Sequence, residues 1–115
     1  MVIRSVQSSH KTFLVVLSVL LAGLTACTAD PVANAPPLYV VSCSWCHDAG
    51  NGGAPKTGDK EDWERRTSKG MAAVYANAID GYEGATGIMP AKGSRMDLSD
   101  EEIKKLVDFM VEASQ

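Results

Sequence analysis

An all-α fold of about four helices is what this 115-residue chain predicts, on three observations. Ser99 and Glu102 make a capping box ahead of Ile103, Leu106, Val107 and Met110, which recur at helical spacing with Phe109 beside them. Met71, Val74, Tyr75, Ala78 and Ile79 fall on one face of another helical stretch. No segment alternates apolar and polar residues as a half-buried strand does.

The elements follow in chain order. A first helix starts at Pro36 or Pro37, where proline suits the first turn, and runs through Leu38, Tyr39, Val41 and Ser42. Asp48 to Asp59 holds four glycines and one proline and is therefore a loop, one that wraps around something. Asp59 caps a second helix, with Glu61 and Asp62 placed where acidic side chains favour the helix dipole and Lys69-Gly70 at its close. Trp63 is its only large apolar residue. A third helix spans Met71 to Asp80 and stops at Gly81. Gly81 to Leu98 is a glycine-rich loop carrying Ile88-Met89-Pro90, and Ser99 opens the last helix, which is expected to cross the first.

The first 26 residues read as a targeting segment: Arg4 and Lys11, then an apolar run from Thr12 to Leu24 that is short for a membrane span, then small residues. Leu24-Thr25-Ala26-Cys27 resembles a bacterial lipobox, which makes Cys27 the lipidated N-terminus of an exported protein. The alternatives are a signal cut near Ala33-Asn34-Ala35 and an uncleaved anchor helix. Two or three acyl chains hold a protein on a membrane far more firmly than one. Thr28 follows the cysteine in place of the Asp that retains many lipoproteins in the inner membrane, which favours the outer membrane by analogy. Residues 27–37, rich in Pro, Ala and Asn, are expected to be a lipid-anchored flexible tether, and 38–115 a single domain.

Removing residues 1–26 leaves 89 of the 115, one small domain with a marginal core. The removed part takes two of the 11 basic residues and none of the 14 acidic ones, so the remainder carries a formal charge of −5. Such a balance disfavours nucleic acid as a partner.

The chemistry sits in Cys43-Ser44-Trp45-Cys46-His47. C-x-x-C-H is the spacing at which two thiols add to the vinyl groups of a haem while the adjacent imidazole reaches its iron. A redox dithiol of the thioredoxin kind would need strands around it, and none is predicted between residues 38 and 58. A structural zinc site needs four ligands, yet beyond residue 26 the only other Cys or His is Cys27. A covalent haem also explains how so short a chain, only 6% aromatic, folds, since it supplies a large apolar surface.

A second axial ligand is to be found among Met71, Met89, Met96 and Met110. Met110 and Met71 belong to helical stripes, where methionine is ordinarily core. Met96 lies in a loop before a capping residue, as ligand or as an apolar plug. Met89 is preferred, because glycines flank it and Pro90 holds it extended, so that a loop can lay one side chain over a flat cofactor. Trp63 has two readings, an indole donor to a haem propionate or a core residue with a backbone partner. Trp45 is placed to cover the haem edge. Lys56, Lys60, Lys92 and Arg95 form either a docking patch for an acidic redox partner or an ordinary mixed-charge surface.

Taken together, Tyr39 to His47, Gly53-Ala54-Pro55-Lys56, Gly58-Asp59-Lys60, Trp63, Gly70-Met71, Ile88 to Gly93 and Leu98 to Ile103 resemble the class I c-type cytochromes, most closely the cytochrome c5 family. The resemblance runs from Tyr39 to Val111. It implies a small class I cytochrome c fold around one haem c, thioether attachment at Cys43 and Cys46, axial ligation by His47 and Met89, and a Pro55 carbonyl that accepts the Nδ1 proton of His47. Where cytochrome c5 proteins often carry a disulfide after the methionine, this chain has Arg95 and Leu98, which predicts a more mobile segment there.

The expected function is a lipid-anchored, monomeric, monohaem carrier of single electrons between membrane-associated redox proteins of the bacterial envelope, with its domain in the periplasm. Catalysis is not implied: a peroxidase needs a distal acid or base, and His47 is the only His beyond residue 26. The alternatives are a haem-based gas sensor from which Met89 dissociates, and a fixed haem subunit of an oxidase or reductase complex.

Overall fold

The computed structural model describes residues 30–115. The expected targeting segment and Cys27 lie outside the described residues.

Helix α1 (Pro37–Ser42) starts on Pro36 and places proline in its first turn. It is the first part of the helix expected to reach the cysteine motif. Cys43, at φ −126° and ψ −33°, interrupts it, and α2 (Ser44–His47) resumes at once. The break turns the motif relative to α1 while its backbone stays bonded, Cys43 N–H to the Tyr39 carbonyl at 2.8 Å and His47 N–H to the Cys43 carbonyl at 3.0 Å.

Helix α3 (Lys60–Thr67) is capped by Asp59, whose carboxylate accepts from the Asp62 N–H at 3.1 Å. Gly70, at φ +92°, makes the corner into α4 (Met71–Asp80). The long loop that follows contains a structure absent from the expectation. Two-residue strands β1 (Tyr82–Glu83) and β2 (Ile88–Met89) pair antiparallel, Tyr82 opposite Met89 and Glu83 opposite Ile88. A pair this short leaves no alternation to read, and the fold is the mostly helical one expected, with one minimal hairpin added.

Helix α5 (Asp100–Glu112) has both halves of its capping box, Ser99 N–H to Glu102 Oε2 at 2.9 Å and Glu102 N–H to Ser99 Oγ at 3.3 Å. Its apolar stripe, Ile103, Leu106, Val107 and Met110, is buried with Tyr39, Trp63, Ala78 and Leu98. Helix α4 packs along α5, while α1 meets α5 where the Tyr39 and Phe109 rings touch edge to face, 4.8 Å between centres. Val32 and Ala35, expected within a free tether, also pack on this core, and Asp30 to Ala35 forms hydrogen-bonded turns.

Candidate haem-binding site

A cavity of about 280 Å³ opens between the cysteine motif and the loop that carries Met89. Cys43, Cys46 and His47 line one part of its wall, and Met89 and Pro90 another. A neighbouring cavity of about 130 Å³ shares His47, Pro55, Arg66, Tyr82 and Met89 with it and runs inward to Ala78, Val107 and Met110. The two form one cleft reaching from the surface to the core.

His47 is buried, and its Nδ1 lies 2.8 Å from the carbonyl oxygen of Pro55. A carbonyl can only accept, so Nδ1 carries the proton and Nε2 keeps its lone pair. Burial holds the imidazole below its usual range, outweighing the Pro55 bond, which acts the other way; the Arg66 charge lowers it further. The ring is thus neutral and oriented, as a metal ligand must be. The motif is braced from behind by Thr57, whose N–H donates to the His47 carbonyl at 2.6 Å.

Cys43 and Cys46 are both free thiols. Burial first, then the neighbouring Cys46, pushes the Cys43 thiol up to about 11, so it is protonated near neutrality. The opposite wall approaches the motif through glycine: a Cβ on Gly87 would run into the Gly52 carbonyl, and one on Gly53 into Thr86. Gly81, at φ +87°, lets the hairpin fold back, with a would-be Cβ 3.1 Å from the Met89 carbonyl.

Of the four candidate methionines, only Met89 lines the larger cavity. Met110 is core, and Met71 packs against the core. Met96 is 69% exposed, so it is no buried plug, and it lines neither cavity. Trp63 resolves to its second reading: it is buried and its indole N–H donates to the Lys56 carbonyl at 2.9 Å. Trp45 lines the mouth of the cavity but stands 81% exposed. The basic cluster is largely neutralised, since Lys60 pairs with Glu64, Lys92 with Asp100 at 2.6 Å and Arg95 with Asp97 at 2.8 Å. Arg95 also donates to Ser42 Oγ at 2.9 Å, tying down the loop expected to be loose without a disulfide.

Two residues of the cleft carried no signal in the sequence. Arg66 and Tyr82 line both cavities, yet each sits in a segment read for other features.

These residues fit a covalent haem: two free thiols, a neutral imidazole with one nitrogen open, a thioether, an apolar lining, and a buried Arg66 Nε–H with no hydrogen-bond partner. Fold and cleft together define a c-type cytochrome of class I. Residues 30–110 match the family described as cytochrome C oxidase, cbb3-type, subunit III, and the chain belongs to that family of haem-binding domains. It is 46% identical over 77 residues to cytochrome c-555 of Chlorobaculum thiosulfatiphilum, covering 67% of this chain and 90% of that protein. It is 35% identical over 79 residues to cytochrome c5 of Ectopseudomonas mendocina, covering 67% and 86%. Among solved structures it is similar, with a TM-score of 0.59 and 31% identity over 68% of this chain and 90% of the other, to a chain in the crystal structure of an electron transfer complex of nitrite reductase with cytochrome c. The cofactor of this family is one covalent haem c, which supplies reversible one-electron chemistry at iron.

Proposed function

We propose that this protein is a monomeric, lipid-anchored electron carrier of the bacterial cell envelope. Cys43 and Cys46 would hold the haem as thioethers, His47 through Nε2 and Met89 through its sulfur would ligate the iron, and Pro55 fixes the His47 ring. The observation that carries this reading is the 2.8 Å bond from His47 Nδ1 to Pro55, which leaves Nε2 open in a cleft whose wall also holds both thiols and Met89.

The residues do three things in transfer. The braced motif and the hairpin hold the imidazole and the thioether in place, so a haem bound by them would exchange an electron with little movement of either side chain. A neutral sulfur ligand favours ferrous iron and a relatively high potential. The cleft mouth, with Trp45 and Tyr82 exposed beside it, leaves the edge of the site open to a redox protein in a small, transient contact. The similar chain solved in complex with nitrite reductase supports a redox protein as partner. Cys27 anchors the domain by lipid, with the outer membrane favoured by Thr28.

Spectra of the protein matured in a host with a periplasmic haem-attachment system test the core of this. The wild type is expected to be six-coordinate, low-spin and indifferent to carbon monoxide, with a sulfur-to-ferric charge-transfer band that Met89→Ala abolishes. Survival of the band in that variant refutes Met89, and carbon monoxide binding by the wild type favours a gas sensor. Cys27→Ser should release the domain from membranes; unchanged association refutes lipidation. The family's description as an oxidase subunit favours one second reading, a fixed haem subunit, which stoichiometric co-purification with an oxidase would establish.

A further inference from the structure

We propose that residues 30–35 are a strap rather than a tether, so that lipid on Cys27 seats the domain directly on the bilayer, through the face where Pro31, Gly58 and the end of α5 meet. The proposal rests on the lipid anchor proposed above and fixes how the domain sits on it. Asp30 already belongs to the folded body. Its carbonyl accepts from the Ala33 N–H at 3.1 Å and its carboxylate from the Val32 N–H at 3.0 Å, while the Val32 carbonyl accepts from the Ala35 N–H at 3.1 Å. Val32 and Ala35 pack against the core. The Pro31 ring covers Gly58 so closely that a Cβ there would come within 2.6 Å of its Cγ. Gly58 donates its N–H to Ser114 Oγ at 2.8 Å, and the Ser114 hydroxyl donates to the Met110 carbonyl at 2.6 Å. The strap is thus tied to the end of the last helix.

Chain length turns this packing into a constraint. Only Thr28 and Ala29 separate Cys27 from Asp30. Three steps of fully extended chain cover about 11 Å at most, well under the width of a domain this size, on the order of 30 Å. A free chain from Cys27 to Pro36 would cover about 32 Å. A freely tethered domain could therefore lift off the headgroups and turn over, and a strapped one can do neither. The strap suits close contact with lipid, because Pro31, Ala33 and Asn34 are exposed and uncharged, and Asp30 is its only charged residue. Pressing such a surface against headgroups strips water from few charges. Seating on this face also leaves the cofactor site clear, since Pro31, Gly58 and Ser114 line neither cavity.

The consequence for electron transfer is geometric. The cleft stays within about one domain width of the bilayer, so its partners are proteins whose redox centres lie close to the same membrane surface. They are reached by lateral diffusion rather than on a long leash.

The test uses the full-length, haem-loaded protein on a supported bilayer of phosphatidylethanolamine and phosphatidylglycerol, with neutron reflectometry reading the water layer between headgroups and protein. The wild type is expected to show a layer no thicker than about 10 Å. A variant with about twelve Gly and Ser residues inserted between Ala29 and Asp30 should show one about twice as thick. Removing the strap contacts, by Pro31→Ser with Val32→Ser and Ala35→Ser, should open the layer as the insert does. A wild-type layer as thick as that of the insert variant overturns the proposal, as does a strap variant seated as closely as the wild type. The insert leaves every strap contact intact, so it decides even if the strap variant does not fold. Hydrogen exchange on the Cys27→Ser holoprotein tests the strap without lipid: the Ala33 and Ala35 amides should exchange about tenfold more slowly than unstructured amides, and unprotected exchange overturns the strap. Wild-type protein that does not stay on the bilayer overturns the lipid anchor and the seating with it, whereas protein retained behind a thick water layer overturns the strap alone.

Discussion

The hydroxyl of Tyr39 lies 2.8 Å from Oγ1 of Thr57, eighteen residues further along the chain, and also donates to the Asp48 carboxylate. Tyr39 is completely buried, and burial, followed by the Asp48 bond, pushes its phenol well above the usual range. The pair joins α1 to the loop behind the cysteine motif, and Thr57 passes the restraint to His47 through its own N–H. Tyr39→Phe keeps the ring against Phe109 but strips both oxygens of their partner, at a cost of about 1–3 kcal/mol. Urea unfolding of the haem-loaded protein should show a lower midpoint with an unchanged slope.

Met89 was legible because the sequence around it is chemically unusual: glycines and a proline isolate one thioether in an irregular segment, whereas Met71 and Met110 sit at helical spacing. The caps at Asp59 and Ser99 were legible for a similar reason, since a short polar side chain ahead of an amphipathic run has one obvious use. Arg66 was not, because an arginine on an otherwise polar helix looks like any solvated charge until the helix is laid against a cleft. The hairpin was not, because pairing Tyr82 with Met89 depends on contacts across the loop rather than on periodicity. The packing of Val32 and Ala35 was hidden by a composition that otherwise suits a linker.

The close approach of the hairpin to the cysteine loop gives a steric prediction. Gly87 lies two residues before Met89, and its Cα faces the Gly52 carbonyl so tightly that a methyl group has no room. Gly87→Ala should force the loops apart, costing about 1–3 kcal/mol as overpacking does. It should also weaken the sulfur-to-ferric band as the loop bearing Met89 shifts. Gly84→Ala is the control, because its new methyl meets chiefly the ring of Tyr82, a half-exposed side chain free to swing aside. Equal spectra for the two variants would contradict this.

Acid should loosen the loop after Met89 before it touches the core. The Arg95 guanidinium hydrogen bond holds the Asp97 carboxyl down at about 2, against an ordinary 3.8. A carboxyl depressed in the folded state stabilises where it is ionised, so this contribution is complete above about pH 4 and is lost as the pH falls toward 2. Asp97 is fully exposed, so the effect is small. Thermal melts of the holoprotein across this range should show a shallower acid slope for Asp97→Asn than for the wild type.

The largest prediction concerns the cofactor itself. Among the described residues the core comprises eight buried apolar side chains, and four of them, Trp63, Ala78, Val107 and Met110, line the inner cavity that opens beside His47. Filling the cleft with a flat apolar ring therefore completes the packing of the core, and leaving it empty leaves half of that core lining an unfilled cavity in a domain already too small for a comfortable margin. Haem attachment to the cysteines is then equivalent to folding, with the stabilising group bonded to the chain rather than in equilibrium with it. Cys43→Ser combined with Cys46→Ser should yield a chain with little helical signal in far-ultraviolet circular dichroism and broad amide exchange, whereas the wild type matured with haem should melt cooperatively. A double variant that melts as cooperatively as the wild type without any bound haem would show that the eight-residue core suffices alone.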